Sequence, residues 1–323
     1  MPNSITVAVS GADGFIGRNL CQRLRADGVA IRPLYGPRSR SFCEFGEPSI
    51  KIDLSRDLPS QQQLAGCDVF IHLAGVAHRF DPTAADSIER INGSVPALLA
   101  MRAHQSGVRR FVFISSAAVI PLATSGNIAE VIPPAHQDRY GSAKLLAEIQ
   151  LQEIAHSSGI ELVIVRPPAV YGPGCPGRLA QLMRLIRLGV PFPHAHNKRS
   201  LVGIANLVDL LVLCSNHPDA AGGTFGVSDC ELSSEEIICF LAQGMGKTPV
   251  FLPLPESTVR FGLRLIRQTR QASHSLDSFV IDSEPVRRLL GWSPAKSAPQ
   301  GLSETGAHFI QGLMKGIAVP ALR

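Results

Sequence analysis

Short runs of apolar residues alternate along the first half of the chain with longer stretches in which apolar residues recur at a helical period. Apolar runs without internal alternation are typical of parallel strands that are buried on both faces of a sheet. Their regular spacing between helical stretches predicts βαβ units, and therefore an α/β fold with a doubly wound parallel sheet. The runs that carry this prediction are 5–9, 29–34, 50–52, 69–73, 111–114 and 162–165.

Residues 15–25 predict a first helix that ends at Asp27-Gly28, because glycine is a common helix stop. Pro33 lies inside the second apolar run, and its missing N–H favours a strand edge or strand end. After residue 167 the pattern changes, since proline and glycine crowd residues 167–177. The chain is predicted to leave the sheet there and to build a smaller substrate-binding lobe.

The predicted division into domains follows from this change. Residues 1–167 are predicted to form the domain of the parallel sheet, 200–228 to return to it, and 168–199 and 229–323 to form the smaller lobe. Further elements are predicted at 206–214 (helix), 223–227 (strand), 233–245 (helix) and 260–270 (a basic amphipathic stretch with a solvated face).

A glycine-rich turn, Gly11-Ala-Asp-Gly14-Phe-Ile-Gly17, directly follows the first predicted strand and opens the first predicted helix. Glycines at such positions permit a tight turn, close approach of the backbone to a pyrophosphate, and close packing of helix on strand. The helix N-terminus adds N–H groups and the positive end of the helix dipole. The turn therefore predicts a dinucleotide site near the start of the chain.

Tyr140 and Lys144 stand four residues apart, so on a helix they share one face. A buried ammonium beside a phenol favours the phenolate, and so lowers the pKa of Tyr140 from its ordinary value of about 10. Such a pair can exchange a proton with the oxygen of a carbonyl or an alcohol. The spacing predicts a carbonyl–alcohol redox enzyme.

Composition narrows the classes of function. The chain has 323 residues, of which 45% are apolar and 18% charged, so it can bury a large core. Its net charge of +5 is scattered, which disfavours nucleic acid and is compatible with small anions such as nucleotides. Seven dispersed cysteines without a Cys-x-x-Cys pair favour reduced thiols and no metal site. With no leader pattern and no membrane-length apolar run, a cytoplasmic protein is expected.

These motifs together resemble the extended short-chain dehydrogenase/reductase family, and within it the NAD-dependent epimerase/dehydratase-like nucleotide-sugar enzymes. The resemblance covers almost the whole chain and implies a Rossmann fold. Further segments that resemble family motifs are Ile52-Asp53-Leu54, His72-Leu73-Ala74-Gly75, Asn92-Gly93-Ser94, Phe113-Ile-Ser-Ser116, Arg166-Pro-Pro-Ala-Val-Tyr-Gly-Pro-Gly174 and Leu289-Leu-Gly-Trp-Ser-Pro294.

The resemblance implies that Ser116 hydrogen-bonds the reacting oxygen, that Tyr140 exchanges the proton, and that Lys144 holds the nicotinamide ribose. Asp53 is an expected adenine contact, with a turn-capping role as the alternative, and His72 is either a cofactor contact or a satisfied core histidine. The residues expected to contact the cofactor, besides Tyr140 and Lys144, are Gly11, Gly14, Phe15, Ile16, Gly17, Arg38, Asp53, Leu54, Leu73, Ala74, Gly75, Asn92 and Pro167.

The end of the second predicted strand bears on which nicotinamide dinucleotide is bound. An acidic residue there would hydrogen-bond the ribose 2′-OH of NAD, whereas an arginine would accept the 2′-phosphate of NADP. The chain reads Leu34-Tyr35-Gly36-Pro37-Arg38-Ser39-Arg40, with no carboxylate and two arginines. This favours NADP(H) over NAD(H), with solvated loop charges as the alternative role for Arg38 and Arg40.

The residues after Ser116 narrow the range of reactions that the resemblance implies. Family members that dehydrate sugars resemble Thr-Asp-Glu there, and members that epimerise a keto sugar at neighbouring carbons carry a cysteine directly after the serine. This chain has Ser116-Ala117-Ala118, whose methyl groups cannot act as acid or base. The resemblance therefore implies a single oxidation or reduction at C4.

A segment from Asn197 to Asp209 resembles the part of nucleotide-sugar enzymes in which an arginine binds the diphosphate. Arg199 is the candidate, because a guanidinium matches phosphate oxygens, and a structural ion pair is the alternative. His194 and His196 flank this loop as expected loop or substrate contacts. Two departures leave the uridine contacts open: Ile120-Pro121 after the serine strand, and Leu276-Asp277-Ser278-Phe279 in place of an arginine-containing clamp.

Three hypotheses follow. The first is NADPH-dependent reduction of a UDP-4-keto-6-deoxy-N-acetylhexosamine in bacterial surface-polysaccharide (O-antigen) synthesis. The second is a UDP-glucose or UDP-N-acetylglucosamine 4-epimerase that retains NAD. The third is a non-enzymatic NAD(P)-binding subunit, which the survival of Ser116, Tyr140 and Lys144 opposes. Helices near 88–106 and 138–156 resemble the pair that forms a dimer interface in this family, so a homodimer is expected.

Overall fold

The computed structural model describes residues 5–37, 39, 47–76, 88–120, 139–195, 197–253 and 278–314. One sheet of seven strands lies at its centre, and every neighbouring pair in that sheet is parallel. Its strands are β1 (Thr6–Ser10), β2 (Ala30–Tyr35), β3 (Ile50–Lys51), β4 (Val69–His72), β5 (Arg110–Ile114), β6 (Glu161–Arg166) and β10 (Thr224–Gly226).

The strand order is β3-β2-β1-β4-β5-β6-β10. The chain thus runs outward from β1 in both directions, which is the doubly wound arrangement. The predicted fold class is confirmed, and each of the six predicted apolar runs overlaps one of the strands β1 to β6. Pro33 lies inside β2, but β3 pairs only with Leu34 and Tyr35, so at Pro33 the strand has one neighbour, β1.

Nine helices accompany the strands in the described part of the chain. They are α1 (Phe15–Ala26), α2 (Gln61–Leu64), α3 (Val95–Gln105), α4 (Arg139–Ser158), α5 (Arg178–Arg187), α6 (Ile204–Asn216), α7 (Ser234–Gly244), α8 (Glu284–Leu290) and α9 (Ala298–Met314). A π-helical turn, Arg90–Ser94, leads into α3, and 3₁₀ turns lie at Ala117–Val119 and Pro218–Ala220.

The two faces of the sheet carry separate hydrophobic layers, because successive strand residues point to opposite faces. Val7 and Val9 of β1 pack in the layer that contains α1 and α6. Ala8 faces the other way and packs in the layer that contains α3 and α4. The sheet is therefore covered by helices on both sides, as its uniformly apolar strands require.

Five short strands and the helices α5, α7 and α9 form a smaller layer. β7 (Ala169–Tyr171) and β11 (Cys230–Leu232) flank β9 (Arg199–Gly203) in a three-stranded sheet, and β8 (Phe192–Pro193) pairs with β12 (Phe251–Leu252). Side chains of α5, α7 and α9 share a third hydrophobic cluster with Tyr171 of β7. The basic stretch predicted at 260–270 lies outside the described residues.

Helices α7 and α9 meet at glycine, which offers a test of this packing. A β-carbon at Gly306 of α9 would stand 2.1 Å from the carbonyl oxygen of Leu241, whereas one at Gly312 of the same helix would meet no atom of a described residue within 4 Å. We expect Gly306→Ala to lower the free energy of unfolding by about 1–3 kcal/mol in urea titrations, because the helices must separate.

Gly312→Ala is the matched control for that change. It should be neutral or should raise the free energy of unfolding by up to ~1 kcal/mol, since alanine is the better helix former. Equal effects of the two substitutions would contradict the close contact between α7 and α9.

Candidate active site

The glycine turn after β1 brings three backbone segments into contact. Gly11 has a φ of +69°, and a β-carbon there would stand 2.8 Å from the backbone nitrogen of Ala74. A β-carbon at Gly17 in α1 would stand 2.0 Å from the carbonyl oxygen of Gly11. Glycine is therefore required at both positions, as the sequence predicts, because the turn, the first turn of α1 and the segment after β4 pack backbone against backbone.

The N-terminus of α1 fits a bound pyrophosphate. Its N-cap, Gly14, has no side-chain capping hydrogen bond, and no acidic residue lies in the first turn, which begins with Phe15 and Ile16. The free N–H groups of a first helical turn attract anions. A dinucleotide held here would supply the group that carries the hydride. The close backbone contacts that a β-carbon at Gly11 or Gly17 would disrupt are present in the turn.

The segment after β4 is pinned beside this turn. Leu73 donates its N–H to the carbonyl oxygen of Ser10 at 3.2 Å. Asn92, fully buried in the π-helical turn, accepts a hydrogen bond from the N–H of Val76 and donates one to its carbonyl, both at 2.9 Å. A β-carbon at Gly75 would stand 2.9 Å from Oδ1 of Asn92. The amide of Asn92 is thus engaged in holding the segment that contains Leu73, Ala74 and Gly75.

Lys144 lies on α4 with its ammonium directed beneath the end of β5. Its Nζ donates to the carbonyl oxygen of Ile114 at 2.8 Å and lies 4.6 Å from the centre of the Phe113 ring. Burial lowers the pKa of Lys144 from 10.5 to about 8, and the Glu148 carboxylate opposes that shift. The lysine therefore sits in a dry environment, where its charge acts strongly on neighbouring groups.

Ser116 follows β5 by two residues and is partly exposed. Its Oγ accepts a hydrogen bond from the N–H of Ala118 at 3.1 Å, which caps the 3₁₀ turn Ala117–Val119. The carbonyl oxygen of Pro167 accepts from the N–H of Ala117 at 2.8 Å. Pro167 thus fixes the turn that presents Ser116 through its backbone.

Tyr140 is half-buried in the first turn of α4, one helical turn before Lys144 and on the same face. The structure thus brings Lys144 to the end of β5, two residues before Ser116, and places Tyr140 on the helix that carries this lysine. Strand, 3₁₀ turn and helix therefore meet at this point.

Below this site lies an ion pair that the sequence did not predict. The guanidinium of Arg166 at the end of β6 forms a bidentate contact with the carboxylate of Glu148, with Nη2 2.5 Å from Oε2 and Nε 3.1 Å from Oε1. Both side chains are buried. Glu148 lies four residues after Lys144, and that shared helix face was the signal in the sequence that could have found it.

His72 is a buried core histidine. It is fully enclosed, its Nδ1 lies 2.6 Å from Oγ of Ser10, and its ring stacks on Phe113 with centroids 5.9 Å apart. Burial, followed by the charge of Lys144, lowers the pKa of His72 to about 3. The imidazole is therefore neutral. Its ring is buried in the core as one of the two predictions has it, but its Nε2 has no hydrogen-bond partner among the described residues, so the histidine is only partly satisfied there.

Asp53 and Leu54 follow β3. The Oδ1 of Asp53 accepts hydrogen bonds from the N–H of Ser55 at 3.0 Å and from its hydroxyl at 2.6 Å, so the carboxylate caps a turn. Leu54 packs partly buried against the sheet layer that contains α3. Asp53 thus has the turn-capping geometry that the sequence left as the alternative to an adenine contact.

The predicted substrate residues lie around β8 and β9. Arg199 begins β9, and its neighbour Ser200 donates a backbone N–H to the carbonyl of Phe279 at 2.8 Å. Ser278 and Phe279, the described part of the segment that replaces an arginine-containing clamp, therefore lie beside the start of β9. His194 stacks on Phe251, and its Nδ1 lies 3.0 Å from Oε1 of Glu235. Arg38 and His196 lie outside the described residues.

Asp229 is a second residue that the sequence did not single out for its contacts. One carboxylate oxygen, Oδ2, accepts from the hydroxyl of Tyr171 at 3.0 Å, from the N–H of Gly203 at 2.6 Å, and from Nδ2 of Asn206 at 2.6 Å. These partners come from β7, β9 and α6, so Asp229 fixes the C-terminal end of the strand that Arg199 begins.

The described residues also bear on metal binding and on membrane insertion. Within the ranges that the structure describes, no group of three or more His, Cys, Asp or Glu side chains converges to hold a metal ion. Of the helices in those ranges, none combines the length and the apolarity needed to cross a membrane.

Comparisons with known proteins extend over most of the chain. The profile of the NAD dependent epimerase/dehydratase family matches residues 7–227. A UDP-glucose 4-epimerase of Vibrio cholerae is 34% identical over 331 residues, covering 96% of this chain and 97% of that protein. A 2-alkyl-3-oxoalkanoate reductase of Shewanella oneidensis is 23% identical, covering 93% and 85%. The solved structure of a Bacillus cereus UDP-glucuronic acid 4-epimerase in complex with NAD matches with a TM-score of 0.76 at 21% identity, covering 97% of this chain and 98% of that one.

The lowered pKa of Lys144 predicts a pH-dependent stability. Between about pH 8 and 10.5 the unfolded state binds more protons at this residue than the folded state, so stability rises with pH. From pH 7 to 9.5 we expect the free energy of unfolding of the ligand-free wild type to rise by about 2 kcal/mol relative to Lys144→Met, measured by urea denaturation.

Lys247→Met serves as the control, because Lys247 is exposed. The difference between this variant and the wild type should stay constant over the same pH range. Parallel pH profiles for the wild type and Lys144→Met would show that the lysine is not held in a dry site.

Proposed function

The chain belongs to the NAD dependent epimerase/dehydratase family, and we propose that it transfers a hydride at C4 of a UDP-sugar. The observation that carries this proposal is the placement of Lys144. Its buried ammonium binds the carbonyl of Ile114 directly beneath the turn that presents Ser116, and Tyr140 lies one helical turn away. This is an arrangement for moving a proton on and off an alcohol oxygen.

In this proposal, side chains of the protein transfer the proton. Lys144 favours the phenolate of Tyr140, because a cation in a dry site stabilises a nearby anion. Tyr140 then accepts the C4 hydroxyl proton during oxidation, or donates a proton to the C4 oxygen during reduction. Ser116 donates a hydrogen bond to the same oxygen as negative charge develops on it. A bound nicotinamide dinucleotide supplies or accepts the hydride.

The turn after β5 supports oxidation or reduction over dehydration. Ala117 is buried and Ala118 is exposed, and both lie in the 3₁₀ turn that Ser116 caps. Elimination of water from the sugar needs an acid and a base near the reacting carbons. Alanine methyl groups supply neither, so the chemistry of this turn is confined to the C4 oxygen.

Recognition of the UDP moiety is assigned to the loops around β8 and β9. Arg199 at the start of β9 is proposed to bind the diphosphate, because guanidinium matches its oxygens. His194, positioned by Glu235 and Phe251, is proposed to contact the nucleotide or the sugar. His196 is proposed in the same role from its place in the sequence.

Two overall reactions are compatible with these proposed roles of Ser116, Tyr140 and Lys144. Reduction of a UDP-4-keto-6-deoxy-N-acetylhexosamine, a step suited to surface-polysaccharide synthesis, is supported by the resemblance of two segments, Asn197–Asp209 and Gly226–Asp229, to enzymes that act on such sugars. The 4-epimerisation of a UDP-hexose or UDP-N-acetylhexosamine is supported by the Vibrio cholerae relative named as a UDP-glucose 4-epimerase. Epimerisation would use Tyr140 twice, once in each direction.

Two features of the chain bear on whether NAD(H) or NADP(H) is bound. Arg38 and Arg40, which follow β2 in the sequence, favour NADP(H). The carboxylate of Asp13, which faces the position after β2, favours NAD(H). Apart from Asp53, whose carboxylate caps a turn, the proposed cofactor contacts are those that the sequence predicts.

A homodimer is also proposed. Exposed apolar residues lie on the two helices that the sequence predicts for the interface, and Leu98 of α3 and Leu146 of α4 are 49% and 43% exposed. Such faces favour burial against a second copy.

The described cysteines are free, which supports a reducing compartment such as the cytoplasm.

One assay separates the candidate reactions. Purified protein is incubated with UDP-glucose, UDP-N-acetylglucosamine and a UDP-4-keto-6-deoxy-N-acetylhexosamine, each with and without NADH or NADPH. Stoichiometric oxidation of the dinucleotide with the keto sugar supports reduction. Interconversion of C4 epimers without net oxidation supports the epimerase. Binding of a dinucleotide without turnover of any of these sugars would favour the non-enzymatic alternative.

The role of Tyr140 gives a sharper prediction. With whichever substrate turns over, Tyr140→Phe should lower kcat by roughly 10²–10⁴-fold, because the proton donor and acceptor is lost. Tyr171→Phe removes the same hydroxyl from a buried tyrosine bonded to Asp229, and it should lower stability while leaving kcat near the wild-type value. Equal kcat values for Tyr140→Phe and the wild type would overturn the assigned role.

A further inference from the structure

The carboxylate of Asp13 faces the end of strand β2. Asp13 lies in the glycine turn, two residues after Gly11, and its Oδ2 is 4.0 Å from the position that a β-carbon on Gly36 would occupy. Gly36 directly follows the last residue of β2, Tyr35. Two segments that are separated by more than twenty residues in the sequence thus place a carboxylate at this strand end.

The backbone fixes this arrangement on both sides. Ala12 donates its N–H to the carbonyl oxygen of Leu34 at 3.3 Å, which ties the turn to β2. Ser39 donates its N–H to the carbonyl oxygen of Gly36 at 3.0 Å, so the chain turns immediately after the strand. The position of Asp13 relative to Gly36 therefore follows from hydrogen bonds on either side of the two residues.

Asp13 has no structural role in the described part of the chain that would explain its charge. The N-cap of α1 is Gly14, and no side chain caps the helix. The carboxylate of Asp13 forms no hydrogen bond or ion pair with another described residue. Arg18, in the same helix, is exposed. The partly buried carboxylate is thus available to a bound molecule.

In a doubly wound fold, the adenosine ribose lies at the carboxyl end of the second strand, and a carboxylate there hydrogen-bonds the ribose 2′-OH. From Leu34 to Pro37 this chain has no acidic residue. A side chain at position 36 would project toward the space that the Asp13 carboxylate faces. Asp13 therefore supplies a carboxylate where doubly wound proteins that bind NAD have an acidic residue at the end of the second strand.

We infer that Asp13 accepts a hydrogen bond from the adenosine ribose 2′-OH and makes this chain selective for NAD(H) over NADP(H). The inference rests on the proposed function, in which the glycine turn holds a nicotinamide dinucleotide. A 2′-phosphate would bring negative charge against the carboxylate, and like charges in close contact weaken binding strongly. The same carboxylate gains a charge-assisted hydrogen bond with the free hydroxyl.

The test is direct binding of NADH and NADPH, measured as dissociation constants by nucleotide fluorescence in the absence of sugar. The wild type should bind NADH more tightly than NADPH. Asp13→Asn keeps the size of the side chain and removes its charge, so it should shift the affinity ratio toward NADPH by at least ~10-fold. Asp57→Asn removes a charge from an exposed aspartate and should leave the ratio unchanged.

A second variant distinguishes a direct contact from a general effect on the turn. Among the described residues, a β-carbon at position 36 would meet nothing closer than the Asp13 carboxylate, so these residues leave room for a side chain there. The double variant Asp13→Ser, Gly36→Asp should restore the preference for NADH that Asp13→Ser alone loses.

The outcomes separate this inference from the proposed function. A wild-type preference for NADPH, or an unchanged affinity ratio in Asp13→Asn, would overturn the inference and leave hydride transfer at C4 standing. Failure of the wild type to bind either dinucleotide would overturn the proposed function and the inference together.

Discussion

The contact of backbone with backbone at the glycine turn is the constraint on which the cofactor end of this structure depends. A β-carbon at Gly11 or Gly17 would stand 2.8 or 2.0 Å from main-chain atoms of neighbouring segments. Without side chains at these two positions, the end of β1, the start of α1 and the segment after β4 can meet. Their meeting leaves the uncapped N-terminus of α1 at the carboxyl ends of the strands, where doubly wound folds bind ligands.

A second constraint operates under the reacting site, where three charged side chains are buried together. Lys144 and Glu148 lie one turn apart on α4, and Arg166 reaches Glu148 from the end of β6. Burial alone would drive the lysine toward its neutral form, and the carboxylate of Glu148 opposes this. The Arg166 guanidinium in turn satisfies that carboxylate, as a buried charge requires. The ion pair thus supports the protonated lysine that a phenolate at Tyr140 needs.

Much of the fold follows from local patterns. Strands buried on both faces contain almost only apolar residues, so the runs from 5–9 to 162–165 identify β1 to β6 without knowledge of their partners. The glycine turn and the Tyr-x-x-x-Lys spacing are likewise local, because the residues that act together are close in sequence. Asn92 shows where such reasoning stops. Its motif marks it as a site residue, but its amide partner, Val76, lies sixteen residues away and is identified only by the fold.

The sequence by itself therefore determined the parallel α/β architecture, and it identified the glycine turn proposed to hold a dinucleotide and the residues proposed to transfer a proton. The tertiary structure decided which distant groups meet: Arg166 with Glu148, Asp229 with Gly203, and Asp13 with the end of β2. The physical reason is that local patterns reflect burial and backbone conformation, which each segment carries in its own residues. Contacts between segments depend on the strand order and on the backbone hydrogen bonds that fix it, and no single segment contains them.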